Sequence, residues 1–432
     1  MALRSLAVDF NSFFASCEQQ ENPRLRDRPI GIVPVIAETT CCIAASYAAR
    51  HRGVKVGTGI AEARTLCPEI ELIESHPDLY IRYHRRLLNA IESCLHITEV
   101  KSIDEVECDL TARFAPRDRA VAVARRIKEQ VARRVGPCLT SSIGIAPNWL
   151  LAKLASDMQK PDGLVILDDA DIPQKLLALD LTDICGIGPR MARRLRAHGV
   201  DTVQKLYTAT RAELRGIWGG VEGERMHDRL RGGQIPLPQQ QQQTVGHSHV
   251  LPPFLRTEAL SHAVLHRLLQ KAAMRLRDIA HYAGGLMVSV GYRDDVRWSD
   301  ELRFNETQDT LALTTALNQL WSRRPPALRR RTPIQVGLVL NRLLPMSGHT
   351  PGLFDHEQEI ARERLHHAVD TLNQTFGNGT VYFGGAFGVT DNAPMRIAFT
   401  RIPKPEVEEI DPMRERRLCP RKPEPPAGAD CS

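Results

Sequence analysis

The chain has 432 residues, too many for one hydrophobic core, so two to four folding units are expected. Hydrophobic residues at 42% and charged residues at 25% are ordinary for a globular protein, and no apolar run approaches the length of a membrane helix, which excludes a spanning segment. The net charge of +6 is modest, yet Arg190, Arg193, Arg194 and Arg196 crowd one segment and Arg323, Arg324, Arg329, Arg330 and Arg331 another, a distribution that suits a polyanionic partner.

Residues 1–18 do not read as a secretory signal, because Asp9 interrupts the only apolar run and no small-residue cleavage site follows. The cysteines are scattered without a Cys-x-x-Cys pair, so they are expected to be reduced core residues of a cytoplasmic protein, not a disulfide framework or zinc ligands. His366-His367 and His247-Ser248-His249 lack metal-site company and read as solvated surface.

In chain order, Leu6-Ala7-Val8 predicts a strand that ends in Asp9-Phe10-Asn11-Ser12 and turns into a helix beginning near Phe13 and Phe14. Short strands are expected at 29–35 and 41–45 and a helix at 60–66, with Arg50, Arg52 and Lys55 between them. An amphipathic helix over 78–94 leads to a strand at 97–100 and then to Asp104 and Glu105. Adjacent side chains on a strand point to opposite faces, so this pair serves one site only if the chain turns there. A helix at 121–135 is expected to keep Arg125, Arg126, Lys128, Arg133 and Arg134 on its wet face. A strand at 139–145 and a helix from Pro147 through Met158 follow. If the strands carrying Asp9 and Glu105 are neighbours, three carboxylates converge. Their repulsion would be relieved by a hard, oxygen-seeking divalent cation such as Mg²⁺, and two such ions suit in-line phosphoryl transfer.

Residues 168–235 are helical and Arg-rich. Within them Leu181 to Leu195 reads as helix, Gly186-Ile187-Gly188 hairpin and second helix with Pro189 at its first position, an anion site for DNA phosphate with Arg190 and Arg193 alongside. Residues 236–246, with their glutamine run, read as a polar linker. Beyond it the order is strand, helix (258–280), strand (286–292), strand (296–304), helix (311–321) and strand (334–341), with Arg256, Arg293, Arg297, Arg303 and Arg329 to Arg331 as candidate phosphate contacts. A helix at 357–376 and two short β-like stretches come next, and the Pro- and charge-rich 403–432 is expected to be disordered.

The run Val8-Asp9-Phe10-Asn11-Ser12-Phe13-Phe14-Ala15-Ser16-Cys17-Glu18 and the run Ser102-Ile103-Asp104-Glu105 resemble the two metal-site motifs of the Y-family translesion DNA polymerases, the DNA polymerase IV and V type. The likeness continues through Ala45-Ser46-Tyr47-Ala48-Ala49-Arg50, Ser142-Ile143-Gly144-Ile145-Ala146, residues 153–163 and the Gly186-Ile187-Gly188 hairpin, covering roughly the first 230 residues; beyond that only the architecture is similar. The resemblance implies two Mg²⁺ ions held by Asp9, Asp104, Glu105 and the Phe10 carbonyl. It implies a triphosphate gripped by Tyr47, Arg50 and Lys160, and Phe14 as a steric gate against a ribose 2′-hydroxyl. Ala44 stands where many members have a threonine that touches phosphate, so Ser46 or a water is expected to substitute. Gly53, Gly57 and Gly59 would leave room over the nascent base pair. Leu353 and Phe354 are what remains of a sliding-clamp peptide, with Thr350 where glutamine is expected.

The implied architecture is α+β and multidomain: a ferredoxin-like palm (1–18 and 73–167), small fingers (19–72), a helical thumb with helix-hairpin-helix (168–235), a linker (236–246), a βαββαβ little finger (247–345), a C-terminal extension (346–402) and a tail (403–432). The implied activity is low-fidelity, template-directed deoxynucleotidyl transfer from dNTPs to primer-template DNA in translesion synthesis, by a nucleoid-associated enzyme with no membrane partner. The alternatives are a catalytically idle DNA-binding accessory factor, which has no need of three converging carboxylates, and a nucleotidyl cyclase, which has no need of a helix-hairpin-helix.

Overall fold

The computed structural model describes residues 2–235, 242–293, 295–350, 356–377, 379–390 and 402. The chain divides into two compact units, principally Met1–Gln240 and Gln241–Arg396.

In the first unit, β1 (Ser5–Phe10) is buried at every position, as a central strand covered on both faces must be. It runs into α1 (Phe13–Glu21) through Ser12, which takes a left-handed φ of 46°. A separate three-stranded sheet follows, built from β2 (Ile30–Val33), β3 (Ala44–Ala45) and β4 (Glu71–Glu74) in the order β3-β2-β4. Between β3 and β4 lie α2 (Tyr47–His51) and α3 (Ile60–Leu66). The strand expected over 41–45 shrinks to two residues because Cys41 is drawn off into an isolated bridge with Gly59.

The chain then lays down α4 (Pro77–Glu92), β5 (Ile97–Val100), β6 (Glu105–Asp109), α5 (Arg117–Arg134), β7 (Ser141–Ala146), α6 (Trp149–Met158) and β8 (Leu164–Ile166). These complete a five-stranded sheet in the order β5-β6-β1-β7-β8, whose first four strands are paired as in a ferredoxin-like β-α-β-β-α-β unit. Helices α7 (Gln174–Leu177), α8 (Pro189–Ala197), α9 (Val203–Thr208), α10 (Arg211–Trp218) and α11 (Val221–Leu230) pack on α6 through one shared core that includes Leu150, Leu154, Leu176, Leu195, Leu206 and Leu214. The Asn148 side chain, which caps α6, also donates to the carbonyls of Arg229 (2.8 Å) and Gly233 (3.0 Å), tying the helical segment to the sheet.

Lys128 departs from the expectation of a wet helix face. Its ammonium turns inward and donates to the carbonyls of Ser141 (2.5 Å) and Asp162 (2.8 Å) and to the Asp162 carboxylate (2.7 Å).

The second unit contains β9 (Val245–Val250), α12 (Glu258–Asp278), β10 (His281–Tyr292), β11 (Arg297–Thr307), α13 (Thr310–Ser322), α14 (Pro326–Arg329), β12 (Pro333–Pro345) and α15 (His356–Phe376). Its antiparallel sheet runs β11-β10-β12-β9. The strand begins at Val245, so Val245 and Gly246 pair with β12 and are not linker. After α15 the described residues form a short 3-10 turn, Gly384–Ala386, and no strand, in place of the two β-like stretches. Ala386 and Val389 are fully buried in the core of this unit.

Three surface readings are corrected here. Arg324, counted in a basic run, is 1% exposed, held by Glu258 and by the Tyr292 hydroxyl (3.3 Å) and stacked over Trp321. His366 is 1% exposed and pairs with Asp309 at 2.7 Å, and His249 is also buried. Sequence alone shows that these residues are polar; it does not show that a partner waits for each inside. Among the described residues no helix is long and apolar enough to cross a membrane.

Candidate active site

The site forms where β1 and β6 lie side by side. Their antiparallel register sets Asp9 opposite Glu105, and the Phe10 amide donates to the Asp104 carbonyl at 2.9 Å. Residues 101–104 form the tight connection between β5 and β6, closed by the Lys101 amide on the Glu105 carbonyl (2.9 Å). Ser102 donates to the Asp104 carboxylate (2.5 Å), and His84 on α4 meets the Ile103 carbonyl (2.7 Å). The turn thus lets neighbours in sequence serve one site, which a continuous strand forbids.

The electrostatics follow from this crowding. Burial raises the Asp104 carboxyl above the ordinary carboxylate range, opposed by the Ser102 hydrogen bond and reinforced by the charge of Asp9. Burial likewise raises Glu105, with Lys153 opposing and Asp9 and Asp104 adding to the rise. Two ammonium groups supply compensation. Lys153 on α6 pairs with Asp9, with Glu105 (3.0 Å) and with Asp157 (3.0 Å). Lys160 pairs with the other Asp9 oxygen (2.8 Å) and with Asp157 (2.8 Å). Burial pulls both lysines down, but the neighbouring carboxylates outweigh it and both end above their ordinary value. Among the described residues no three Asp, Glu, His or Cys groups gather into a ready-made metal cluster, and the ammoniums occupy the space between these carboxylates. The donor set itself, all oxygen and in negative surplus, fits a hard divalent cation.

Lys153 and Asp157 carry no role in the sequence reading. The signal was present as an i,i+4 pair on a helix preceded by the Asn148 cap. What hid it was the inability of spacing to say which face of α6 meets β1.

The other expected residues fall as follows. Tyr47 opens α2 and Arg50 lies one turn on, its guanidinium 5.1 Å from the Tyr47 ring centroid and 3.5 Å from the Ser12 hydroxyl. The Tyr47 hydroxyl is buried beside the Asn11 side chain without a well-formed hydrogen bond, and its pKa is raised by burial against the charges of Arg50 and Lys160. Tyr47, Arg50, Lys160 and Asp9 therefore share one electrostatic neighbourhood. Ser46 does not stand in for the threonine missing at Ala44. It is 2% exposed, and its hydroxyl accepts from the Ile30 amide (3.0 Å), donates to the Arg28 carbonyl (3.1 Å) and caps α2.

Phe14 is half-buried one turn from Asp9's strand and stacks on Tyr80 at 4.3 Å, with 13° between the rings. Tyr80 is anchored in turn by its hydroxyl on Glu18 (2.8 Å). At the hairpin, Gly186 takes φ 91°, which a side chain would resist, and Gly188 precedes Pro189 at the start of α8 with open space where a Cβ would stand. Arg190 and Arg193 are exposed on that helix, whose Ala192 and Leu195 face the core. In the second unit Arg293, Arg297, Arg303, Arg330 and Arg331 are exposed, whereas Arg256 turns back to the Leu251 carbonyl (2.9 Å). Leu353 and Phe354 lie outside the described residues.

Comparison with known proteins agrees with this geometry. The impB/mucB/samB family model matches residues 8–157, a SAM-like helix-hairpin-helix tandem matches 178–223, and the impB/mucB/samB family C-terminal domain matches 242–351. The likeness therefore extends past residue 230 in sequence as well as in architecture. DNA polymerase IV of Moorella thermoacetica is 33% identical over 87% of this chain and 94% of its own length. DNA polymerase IV 1 of Bacillus subtilis is 30% identical over 91% of this chain and 95% of its own. Among solved structures, a Y-family DNA polymerase chimera of Dbh and Dpo4 aligns with a TM-score of 0.66 at 24% identity, over 79% of this chain and 99% of that one, a likeness of fold. With the acidic register, the helix-hairpin-helix and relatives spanning nearly its whole length, this chain belongs to the impB/mucB/samB family and is a Y-family, DNA-directed DNA polymerase.

Proposed function

We propose that Asp9, Asp104 and Glu105, with the Phe10 carbonyl, form the catalytic centre for deoxynucleotidyl transfer to a primer 3′-hydroxyl in translesion synthesis. The observation that carries this reading is the pairing of Asp9 with Glu105 across two central strands, beside two lysines that share their charge. Dependence on a divalent metal comes with the family; two Mg²⁺ ions are the specific expectation for an all-oxygen site. A cation held there would supply Lewis-acid activation of the hydroxyl and neutralise charge on the phosphates. The protein's own groups do the positioning. Tyr47, Arg50 and Lys160 hold the triphosphate, the Arg fork and the ammonium matching phosphate oxygens. The Phe14 ring, backed by Tyr80, excludes a 2′-hydroxyl by contact.

The first five-stranded sheet and its helices act as the palm, the three-stranded unit as the fingers, the α7–α11 segment as the thumb and the second unit as the little finger. Primer-template DNA is held without base readout, by the Gly186 to Gly188 hairpin with Arg190 and Arg193 on phosphate. Leu353 and Phe354 are retained as a sliding-clamp contact, tested by deleting both and measuring clamp-stimulated synthesis. The test of the centre is Asp104→Ala with Glu105→Ala. Primer extension is expected to vanish while DNA binding persists, and surviving extension removes the mechanism.

A further inference from the structure

Lys153 is not among the residues proposed above to touch nucleotide or DNA, yet it makes the densest ionic contacts of the site. An ammonium has three N–H donors. Lys153 directs its ammonium at three carboxylates on three different elements: Asp9 on β1, Glu105 on β6 (3.0 Å) and Asp157 on its own helix (3.0 Å). Its side chain is only 13% exposed, so solvent screens these contacts weakly. Lys160 takes the second oxygen of Asp9 and the same Asp157 oxygen that Lys153 uses. Both oxygens of Asp9 are thus spent on ammonium groups, and Asp157 is the one carboxylate common to both lysines that lies off the β1–β6 pair.

We propose that Lys153 is a resident counter-ion that occupies the metal seat between Asp9 and Glu105 and is displaced onto Asp157 when a divalent cation binds. This rests on the reading of Asp9 and Glu105 as metal ligands. Without a cation the strands would bring unscreened carboxylates together; the ammonium prevents that. When a cation takes Asp9 and Glu105, Lys153 loses two partners and keeps the third, because an i,i+4 pair on one helix survives whatever the strands hold. Asp157 is therefore a parking carboxylate, and its strength sets how readily the seat empties. Both are positioning residues: they act on the metal ligands and not on the reacting atoms.

The two residues should move cation affinity in opposite directions. Mn²⁺ binding to the full chain, without DNA or nucleotide, is followed by electron paramagnetic resonance of the free ion. Lys153→Gln should bind on the order of tenfold more tightly and Asp157→Asn on the order of tenfold more weakly, each the equivalent of about one lost ionic contact. Long-range charge alone predicts the same signs, and the double variant separates the two accounts. Once Lys153 is gone Asp157 keeps only its contact with Lys160 (2.8 Å), so the double variant should stay close to Lys153→Gln; additive charge effects would return it to the wild-type value. Lys153→Arg keeps the charge and the donors and should keep the wild-type affinity. The proposal is overturned by a Lys153→Gln that binds no tighter than wild type, by a double variant at the wild-type value, or by a Lys153→Arg as tight as Lys153→Gln. Asp9→Asn locates the failure. If it leaves Mn²⁺ affinity intact, the metal-site reading falls and this inference with it; if it abolishes binding while Lys153→Gln is unchanged, only the counter-ion role falls.

Discussion

Replacing Lys128 by methionine keeps the apolar stem and removes three contacts of the ammonium. Two are charge-assisted hydrogen bonds to the carbonyls of Ser141 and Asp162, and the third is the ion pair with Asp162. The Lys128 side chain is 20% exposed but that of Asp162 is 57% exposed, so the ion pair counts for about 0.5 kcal/mol after screening. The two carbonyl bonds contribute about 1.5 kcal/mol each, giving a total with the ion pair of about 3.5 kcal/mol. The share made to Asp162, about 2 kcal/mol, falls on the 159–163 loop, which is also fastened by the Asp162 amide on the Asn11 side chain (2.9 Å), the Ser142 hydroxyl on the Gln159 carbonyl (3.2 Å) and the Ile143 amide on the Gly163 carbonyl (3.0 Å). Lys160 rides on the loop, so its reach toward a triphosphate depends on it. Hydrogen exchange of peptides covering 159–163 should accelerate on the order of thirtyfold, and the apparent dNTP Kd on preformed primer-template complex should rise about tenfold. DNA affinity should not change. Unaltered exchange would refute the energetic reasoning, and a loosened loop with unaltered dNTP affinity would refute the role given to Lys160.

Four further outcomes are expected. Phe14→Val should admit ribonucleotides, raising the ratio of rNTP to dNTP incorporation by about 100-fold or more; an unchanged ratio in single-nucleotide extension removes the steric gate. Gly144→Ala would put a Cβ 1.9 Å from the Ala152 carbonyl and 2.4 Å from the Ser156 amide, both backbone of α6, so it should cost about 3 kcal/mol or more and lower the melting temperature sharply. His262 stacks on Trp321 at 4.6 Å, and burial pushes its pKa down to about 4. Between pH 6.5 and about 4 the unfolded chain takes up a proton that the folded one refuses, so stability present above pH 6.5 is lost as pH falls; His262→Phe should flatten the slope of denaturation midpoint against pH in that window. Arg277 holds Asp370 of α15 through two bonds (2.6 and 2.8 Å), with side chains 15% and 16% exposed. Arg277→Met should destabilise the second unit by about 3 kcal/mol, and adding Asp370→Leu should restore only part of that in chemical denaturation, since it relieves the isolated carboxylate but not the Gln308 carbonyl (3.0 Å) and Thr310 hydroxyl (3.1 Å) that Arg277 also serves.

Much of the fold was legible because its signals are local. Helix α3 matches its expected bounds, and α4 and α5 were each anticipated within a few residues, since an apolar stripe at 3.6-residue spacing needs no partner to be recognised. The elements that were missed depend on neighbours. β4 alternates too weakly to be read alone and exists because β2 pairs with it in parallel. The inward turns of Lys128, Arg324 and His366 depend on acceptors far away in the chain, the carbonyl and carboxylate of Asp162, the Glu258 carboxylate and the Asp309 carboxylate.

The amino-acid order by itself determined the two acidic segments, the glycine hairpin, the helix and strand alternation, and through them the family. Only the tertiary structure decided that Asp9 faces Glu105 in register, that Lys153 and Lys160 lie between the carboxylates, and that Ala386 and Val389 join the second unit's core. The physical reason is one of range. Propensity, periodicity and turn chemistry act over a few residues, while charge compensation and burial are settled by groups that share a few ångströms of space and are separated by a hundred residues or more of chain.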